Sequence, residues 1–232
     1  MKIKGLQKLT LLDFPDRIAC TVFLGGCNFR CPFCHNASLV LPERVGEDIS
    51  EEEFFAHLES RRGRLSGVCI SGGEPTLHKE LPDFIRRIRA LGYAVKLDTN
   101  GYRPSVLGEL ISEGLLDYVA MDIKSSPEGY GRAVGMENFD ISPIKESIAI
   151  LEDSGIDYEL RTTVVRQLHT EADIRAIGEW LAGDRRFFLQ SYKDSGDILS
   201  GESLSAYSDS EMESFAELLR KYIRGAKWRG EA

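Results

Sequence analysis

Three cysteines lie within one short segment, CNFRCPFC, at positions 27, 31 and 34. Thiols spaced this closely can converge on one metal centre. A structural zinc site needs four protein ligands, and His35 could supply the fourth. A [4Fe–4S] cluster takes one thiolate per iron, so three cysteines would leave one iron open to an added ligand. The spacing alone leaves both kinds of centre open.

The remaining two of the five cysteines, Cys20 and Cys69, fall inside apolar strand patterns, where a core role is expected. Five cysteines with three in one segment do not resemble a disulfide framework in a chain of 232 residues; metal binding or catalysis fits better. Gly25 and Gly26 precede the segment and allow the backbone to approach a cluster closely.

Short β-branched runs alternate with longer amphipathic stretches along the chain. The strand-like runs are 18–24, 68–71, 94–98, 118–123, 158–165 and 186–190, and the helical patterns are 51–61, 79–91, 104–113, 143–154, 171–182 and 208–223. Six βα units in a row predict an α/β fold with parallel strands and helical crossovers. Periodicity does not distinguish an open doubly wound sheet from an incomplete barrel.

Composition predicts a single domain over residues 1–232, with an N-terminal extension at 1–17, a polar surface loop at 193–206 and a loose tail at 225–232. The net charge of −8 and the lack of a basic face argue against a nucleic-acid partner. No segment has the length of a signal peptide core or a membrane span. We expect a soluble cytoplasmic protein.

Polar residues follow several of the predicted strands, and their types suit a ligand site. Gly72 and Gly73 free the backbone for close approach, and the Glu74 carboxylate can accept from an ammonium group. Asp122 and Lys124 are two residues apart, so they share one face of a strand. An ordinary βα turn and a structural ion pair are the alternatives. The other candidates at strand ends are Asp98, Asn100, Arg161 and His169.

The CxxxCxxC spacing with Phe33 before the last cysteine resembles the signature of the radical S-adenosylmethionine (SAM) superfamily. The resemblance implies a partial (β/α)6 barrel and a [4Fe–4S] cluster on Cys27, Cys31 and Cys34. In that family the open iron chelates SAM, which one electron from the cluster cleaves to a 5′-deoxyadenosyl radical. The same resemblance places Phe33 near the adenine and assigns the SAM amino group to the segment Gly72, Gly73 and Glu74.

The segments DTNG, at 98–101, and MDIK, at 121–124, are similar to those of glycyl-radical-enzyme activases. The resemblance implies that Asp98 and Asn100 contact SAM, with Asp98 helping to bind a monovalent cation. It further implies that Asp122 and Lys124 face SAM and the peptide substrate. We expect Arg161 to bind the SAM carboxylate and His169 to make a further contact with SAM. These two residues complete the expected site.

The segments TLLDFP (10–15), GGCNFRCPFCHN (25–36) and RTTVV (161–165) resemble activating proteins of anaerobic ribonucleoside-triphosphate reductase. Such a protein would use an electron donor such as flavodoxin or ferredoxin and generate a glycyl radical on its partner enzyme. The segment GYGRAVG (129–135) would be a glycine-rich loop near that partner, or a simple surface turn. Two alternatives stay open, namely a radical SAM enzyme acting on a small molecule, such as a 7-carboxy-7-deazaguanine synthase, and a zinc-binding interaction module.

Overall fold

The computed structural model describes residues 1–34, 36–41, 48–194, 196, 198–199 and 203–230. His35, the predicted alternative zinc ligand, and parts of the predicted loop at 193–206 lie outside this range. The strands are β1 (Ile3–Thr10), β2 (Ala19–Leu24), β3 (Gly67–Gly72), β4 (Ala94–Thr99), β5 (Tyr118–Asp122), β6 (Asp157–Val164), β7 (Gly183–Ser191) and β8 (Ile223–Arg229).

The helices alternate with these strands. They are α1 (Ala37–Val40), α2 (Glu51–Ser60), α3 (Leu81–Ala90), α4 (Pro104–Ser112), α5 (Tyr130–Val134), α6 (Ser142–Ser154), α7 (Glu171–Trp180) and α8 (Asp209–Arg220), with a 3₁₀ turn at Pro75–Leu77. Their ends follow local signals. The Ser50 hydroxyl accepts from the Glu53 N–H, and Gly92 and Gly155 adopt the positive φ that ends a helix.

The sheet has its strands in chain order, from β1 to β8. β1 runs antiparallel to β2, whereas the pairs β2–β3, β3–β4, β6–β7 and β7–β8 are parallel. Helices between parallel strands are the connections that such pairing requires. The predicted α/β class with parallel strands is therefore confirmed.

Packing divides the chain into two compact units, each discontinuous in sequence. The first comprises Met1–Asn28, Ser38–Ala120 and Pro143–Asp157. Its core joins the fully buried centres of β2, β3 and β4 to α2 and α3, where the rings of Phe54 and Phe84 stack at 5.2 Å. The prediction of one domain over 1–232 stays a prediction.

The second unit comprises Phe29–Ala37, Met121–Ser142 and Tyr158–Ala232. Its core includes Leu160 of β6, Phe187 and Leu189 of β7, and buried apolar residues of α7 and α8. Capping boxes begin both helices, at Thr170 and at Ser208.

Three segments differ from the sequence predictions. Strand β1 lies inside the predicted extension 1–17, helix α5 replaces the predicted loop at 129–135, and β8 occupies most of the predicted tail at 225–232. Strand β8 is held at its end by Arg229, whose guanidinium pairs with both oxygens of the buried Glu159 at 3.0 and 2.8 Å.

Within the described ranges, no helix has the length and apolar character needed to cross a membrane.

Candidate active site

The glycines after β2 and β3 bring two loops of the first unit into backbone contact. Gly73 lies so close to the Gly26 carbonyl that any Cβ at position 73 would overlap it, and the Glu74 N–H donates to that carbonyl at 2.8 Å. Gly72 has a φ of +122° and lies equally close to the backbone of Leu24. The glycines therefore allow the backbone just before Cys27 and the segment 72–75 to pack directly on each other.

Glu74 is fully buried, and both of its carboxylate oxygens accept hydrogen bonds from the protein. Oε1 accepts from the N–H and hydroxyl of Thr76 and from the Thr99 hydroxyl at 2.7 Å, and Oε2 accepts from the Asn100 N–H at 2.7 Å. Burial raises the pKa of Glu74, and these donors oppose that rise. The carboxylate thus joins the carboxyl ends of β3 and β4.

Asn100 connects the end of β4 to the first cysteine. Its Nδ2 donates to Asn28 Oδ1 at 2.8 Å and lies 4.0 Å from Cys27 Sγ, and its Oδ1 accepts from the Tyr102 N–H at 3.0 Å. A side-chain amide directed at a sulfur favours the thiolate form that binds metal. Asn100 therefore has a positioning role toward Cys27 in addition to the predicted contact with SAM.

Asp98 is held by two partners of the first unit. Ser71 Oγ donates to Oδ2 at 3.0 Å, and the Lys96 ammonium is ion-paired with Oδ1. Lys96 is 1% exposed, and its Nζ also donates to Cys69 Sγ at 3.8 Å. Asp98 is the carboxylate predicted to contact SAM and a monovalent cation. It is therefore already paired with a positive charge from this chain, the Lys96 ammonium.

The cysteines differ in how deeply they are buried. Cys27 and Cys34 are half-buried and Cys31 is buried, and none of the three is in a disulfide bond. Burial raises the pKa of the Cys20 thiol to about 12, which makes it a poor ligand, as the sequence predicts for a core cysteine. The donor chemistry of the segment 27–34 therefore fits a thiolate-bound cluster.

In the described part of the chain, no group of three or more histidine, cysteine, aspartate or glutamate side chains is gathered around the position of a single ion. A cubane binds each cysteine through a different iron, so its ligands need not meet at one point. The assignment of the three cysteines as cluster ligands stays a prediction.

The end of β5 carries an ion-paired triad in the second unit. Asp122 accepts from Lys124 at 3.0 Å and from Arg161 Nε at 2.9 Å. Burial acts to raise the pKa of Asp122, but the two cations hold it well below its usual range. Burial likewise acts to lower the pKa of Lys124, yet the charges of Asp122 and Cys31 raise it. Lys124 thus remains an ammonium group in the electric field of the second cysteine.

His169 has both ring nitrogens bonded to the backbone. The Val165 N–H donates to Nδ1 at 3.0 Å, so Nε2 carries the proton and donates to the Lys124 carbonyl at 2.8 Å. The ring edge packs on Phe33, with centroids 6.1 Å apart. Both ring nitrogens are therefore bonded to backbone groups, and His169 links Phe33 to the end of β5; the predicted contact of His169 with SAM stays a prediction.

Helix α5 supports the cysteine segment from within the second unit. The Arg30 N–H donates to the Val134 carbonyl at 2.9 Å, and Gly135, with a φ of +68°, packs on the Arg30 backbone. Tyr130 is fully buried and stacks on Phe139 with ring centroids 5.0 Å apart. The predicted loop at 129–135 is therefore a short helix that acts as a buttress behind position 30, and its place near the partner enzyme stays a prediction.

The strand-end residues fall into two sets, one in each unit. Gly72, Gly73, Glu74, Asp98 and Asn100 interact within the first, and Phe33, Asp122, Lys124, Arg161 and His169 within the second. The sequence prediction does not include Lys96. The sequence does point to it, because it is a charged residue within an apolar strand, two residues before Asp98. Asn28 offers no such signal, since its partner comes from a distant strand.

Comparison with known proteins adds the family. The profile described as "Radical SAM superfamily" matches residues 21–181, more than half of the chain. A Methanocaldococcus jannaschii protein, provisionally named a glycyl-radical enzyme activating enzyme, is 32% identical over 228 residues, which cover 95% of this chain and 92% of that protein.

Two further relatives carry different names. The 7-carboxy-7-deazaguanine synthase of Koribacter versatilis is 31% identical, covering 67% of this chain and 66% of its own length. The pyruvate formate-lyase-activating enzyme of Clostridium pasteurianum is 29% identical, covering 72% of this chain and 70% of its own length.

Among solved structures, Streptococcus suis SuiB bound to the precursor peptide SuiA aligns with a TM-score of 0.68 at 16% identity. The alignment covers 90% of this chain and 48% of SuiB. At that identity the likeness shows the fold alone. The sequence profile and the M. jannaschii relative establish that the chain belongs to the radical SAM superfamily and is a radical SAM enzyme.

Proposed function

We propose that this protein is a glycyl-radical-enzyme activase, with an anaerobic ribonucleoside-triphosphate reductase as its partner and flavodoxin or ferredoxin as its electron donor. The observation that carries the proposal is the match to the M. jannaschii activating enzyme, which spans nearly the full length of both chains. The match to the pyruvate formate-lyase-activating enzyme supports the same class of reaction.

Membership of the family implies a [4Fe–4S] cluster and SAM, and we assign the cluster to Cys27, Cys31 and Cys34. When bound, this pair supplies a 5′-deoxyadenosyl radical that takes a hydrogen atom from a glycine Cα of the partner. The chain's own part is to hold both groups in place and to keep water away. Asn100 and Lys124 favour the thiolate forms of Cys27 and Cys31, because one offers an amide donor and the other a nearby positive charge.

The residues proposed to contact SAM are Phe33, Gly72, Gly73, Glu74, Asp98, Asn100, Asp122, Lys124, Arg161 and His169. Glu74 accepts four hydrogen bonds from the protein, and three of these fall on Oε1. Oε2 accepts from the Asn100 N–H and keeps one acceptor direction for the SAM ammonium. The monovalent cation is left out of the proposal, because the Lys96 ammonium occupies the Asp98 carboxylate.

Cluster binding is tested by anaerobic reconstitution. We expect a brown protein with about four irons per chain. Cys31→Ala should lose the cluster, and Cys20→Ala, which removes a buried cysteine outside the segment, should keep it. A colourless protein with one zinc per chain would rule out the cluster.

Activase function is tested by incubating the reduced, reconstituted protein with SAM and a ribonucleoside-triphosphate reductase of the same source. We expect the doublet of a glycyl radical in the electron paramagnetic resonance spectrum. The similarity to a 7-carboxy-7-deazaguanine synthase favours a second candidate, in which the substrate is a small molecule. Formation of 7-carboxy-7-deazaguanine, with no glycyl radical on any partner tested, would favour that candidate.

A further inference from the structure

A lysine is enclosed at the carboxyl end of β4, in contact with an aspartate of the proposed SAM site. Lys96 is the register partner of Cys69 in the parallel pair β3–β4. Ser71 and Asp98 lie two residues further along their strands, so all four side chains share one face of the pair. The side chain of Lys96 is 2% exposed and that of Asp98 is 16% exposed.

The bonds around Asp98 occupy both of its carboxylate oxygens. The Lys96 ammonium is paired with Oδ1, and the Ser71 hydroxyl donates to Oδ2 at 3.0 Å. An ammonium group has three donors and no lone pair, so it cannot serve as a ligand to a metal ion. Its charge also repels a second cation within a few ångströms, and most strongly where burial lowers the effective dielectric.

A monovalent metal cation on Oδ1 of Asp98 would have to lie where the Lys96 ammonium is already paired. The ammonium fills that position with the same charge that the metal ion would bring. The pairing is also intramolecular, so it does not depend on the sodium or potassium concentration around the protein.

We propose that Lys96 is the built-in counter-ion of Asp98 and takes the place of a bound monovalent metal cation at the end of β4. Lys96 is in this sense a positioning residue, because it fixes the aspartate that faces the proposed SAM site. The inference concerns the proposed site, but its test needs neither SAM nor a partner enzyme. It can therefore fail while the activase proposal stands, and the reverse holds as well.

The test compares thermal unfolding midpoints in potassium chloride, sodium chloride and tetramethylammonium chloride at equal ionic strength. A cation that binds only the folded state raises the midpoint with its concentration, in a saturable way. For the wild-type protein we expect midpoints within about 1 °C of one another, because the Lys96 ammonium already occupies the position that a cation would take at Asp98.

Lys96→Met removes the charge and keeps a chain of similar length, which leaves the enclosed carboxylate of Asp98 without its ammonium. We expect a midpoint roughly 5 °C or more lower in tetramethylammonium chloride, since the loss of one partner of a buried ion pair is strongly destabilising. Potassium or sodium should recover about 2 °C or more of that loss, because a small cation can enter the vacated position.

Two controls separate this effect from general salt effects. Lys4→Met removes a strand lysine that is ion-paired with the half-exposed Asp48, and it should respond equally to all three salts. The double variant Lys96→Met, Asp98→Asn lacks the carboxylate and should lose the response to potassium and sodium.

A saturable rise of the wild-type midpoint with potassium or sodium would overturn the proposal. So would a folded Lys96→Met protein that responds equally to the three salts. If Lys96→Met does not fold, the wild-type titration in the three salts decides alone.

Discussion

Single side chains at the strand ends are more fully engaged with the protein than their sequence context indicates. The carboxylates of Glu74, Asp98 and Asp122 each accept from donors of this chain. A free carboxylate would be costly in such a partly or wholly buried position, so the fold supplies donors before any ligand arrives. Ligand contacts at these positions must therefore share oxygens that already hold the strand ends together.

Glu74→Gln should destabilise the protein by about 2–3 kcal/mol, because the substituted amide carries two donors into a site that offers only donors. Thr76, Thr99 and Asn100 all donate to the native carboxylate. Urea unfolding at neutral pH measures the change.

The matched control is Glu113→Gln, which removes a half-exposed carboxylate that pairs with Arg86. Exposed ion pairs contribute about 0–1 kcal/mol, so we expect a change within that range. Equal effects of the two substitutions would contradict the view that Glu74 is a structural acceptor.

The places of Glu74 and Asp98 near the ends of strands could be predicted from the sequence, but the partners of their side chains could not. Strand-end motifs locate Glu74 and Asp98 because ligand groups follow the strands of parallel α/β folds. Thr99, a partner of Glu74, and Ser71, a partner of Asp98, come from the neighbouring strand, and both pairings depend on register. His169 shows the same limit, since both of its partners are backbone groups that no side-chain pattern encodes.

Among the secondary-structure elements, α5 has the clearest role behind the cysteine segment. Gly135→Ala should destabilise the protein by about 2–4 kcal/mol, because the substitution strains a positive φ and places a Cβ against the Arg30 backbone. Urea unfolding measures this loss, and iron content after reconstitution should fall with it.

Gly155→Ala provides the control, since Gly155 has a nearly equal φ of +71° and a Cβ there would have nothing within 4 Å of it. It should lose only about 1–2 kcal/mol from the backbone conformation and retain its iron. Normal iron content in a folded Gly135→Ala protein would refute the role of α5 as a buttress.

Strand β8 is the second element with a testable attachment. Arg229→Ala should cost about 2–4 kcal/mol, because it removes the bidentate partner of the buried Glu159 and the cation–π contact with Phe188. Arg224→Ala, in the same strand, should cost less than about 0.5 kcal/mol, since Arg224 is 85% exposed. Similar losses of unfolding free energy in the two variants would show that the end of β8 is not anchored by this pair.

The elements predicted correctly are those with strong periodicity, such as α3 and β6. Strand β8 was missed because its sequence, IRGAKWR, alternates charged residues with few apolar ones and resembles a polar tail. Helix α5 was missed because glycines flank its five residues, a composition typical of a loop. In both, tertiary contacts outweigh local propensity.

For the molecule as a whole, the lowered pKa values of three histidines lead us to expect a loss of stability in mild acid. Burial lowers the pKa of His57, His78 and His169 below the ordinary value of 6.5. The unfolded chain therefore binds protons more readily, so stability is complete above about pH 6.5 and falls as the pH drops through the lowered folded-state values. Urea midpoints should decrease between about pH 7.5 and pH 5.5, before most carboxylates titrate.

His169→Gln isolates one of these groups. The variant should be less stable than the wild type by about 1–3 kcal/mol at about pH 7.5, because it loses backbone hydrogen bonds, and its midpoint should fall less on acidification. If the urea midpoint of the variant falls as much as that of the wild type, or more, His169 is not a neutral side chain that resists protonation in the folded state.

At this scale the sequence identified the alternation of strands and helices and the family, because hydrophobic period and motif spacing are local properties. It did not indicate two compact units that are each discontinuous in sequence. Only long-range packing decides that Pro143–Asp157 joins the N-terminal half while Phe29–Ala37 joins the C-terminal half.

The contact between Gly26 and Gly73 limits how this protein can be re-engineered. Two peptide groups meet there without intervening side chains, so no change of rotamer can absorb an error in either loop. A chimera that imports residues 25–34 from another superfamily member should fold only when residues 71–75 come from the same donor. The two segments are distant in sequence, yet they would have to be exchanged together.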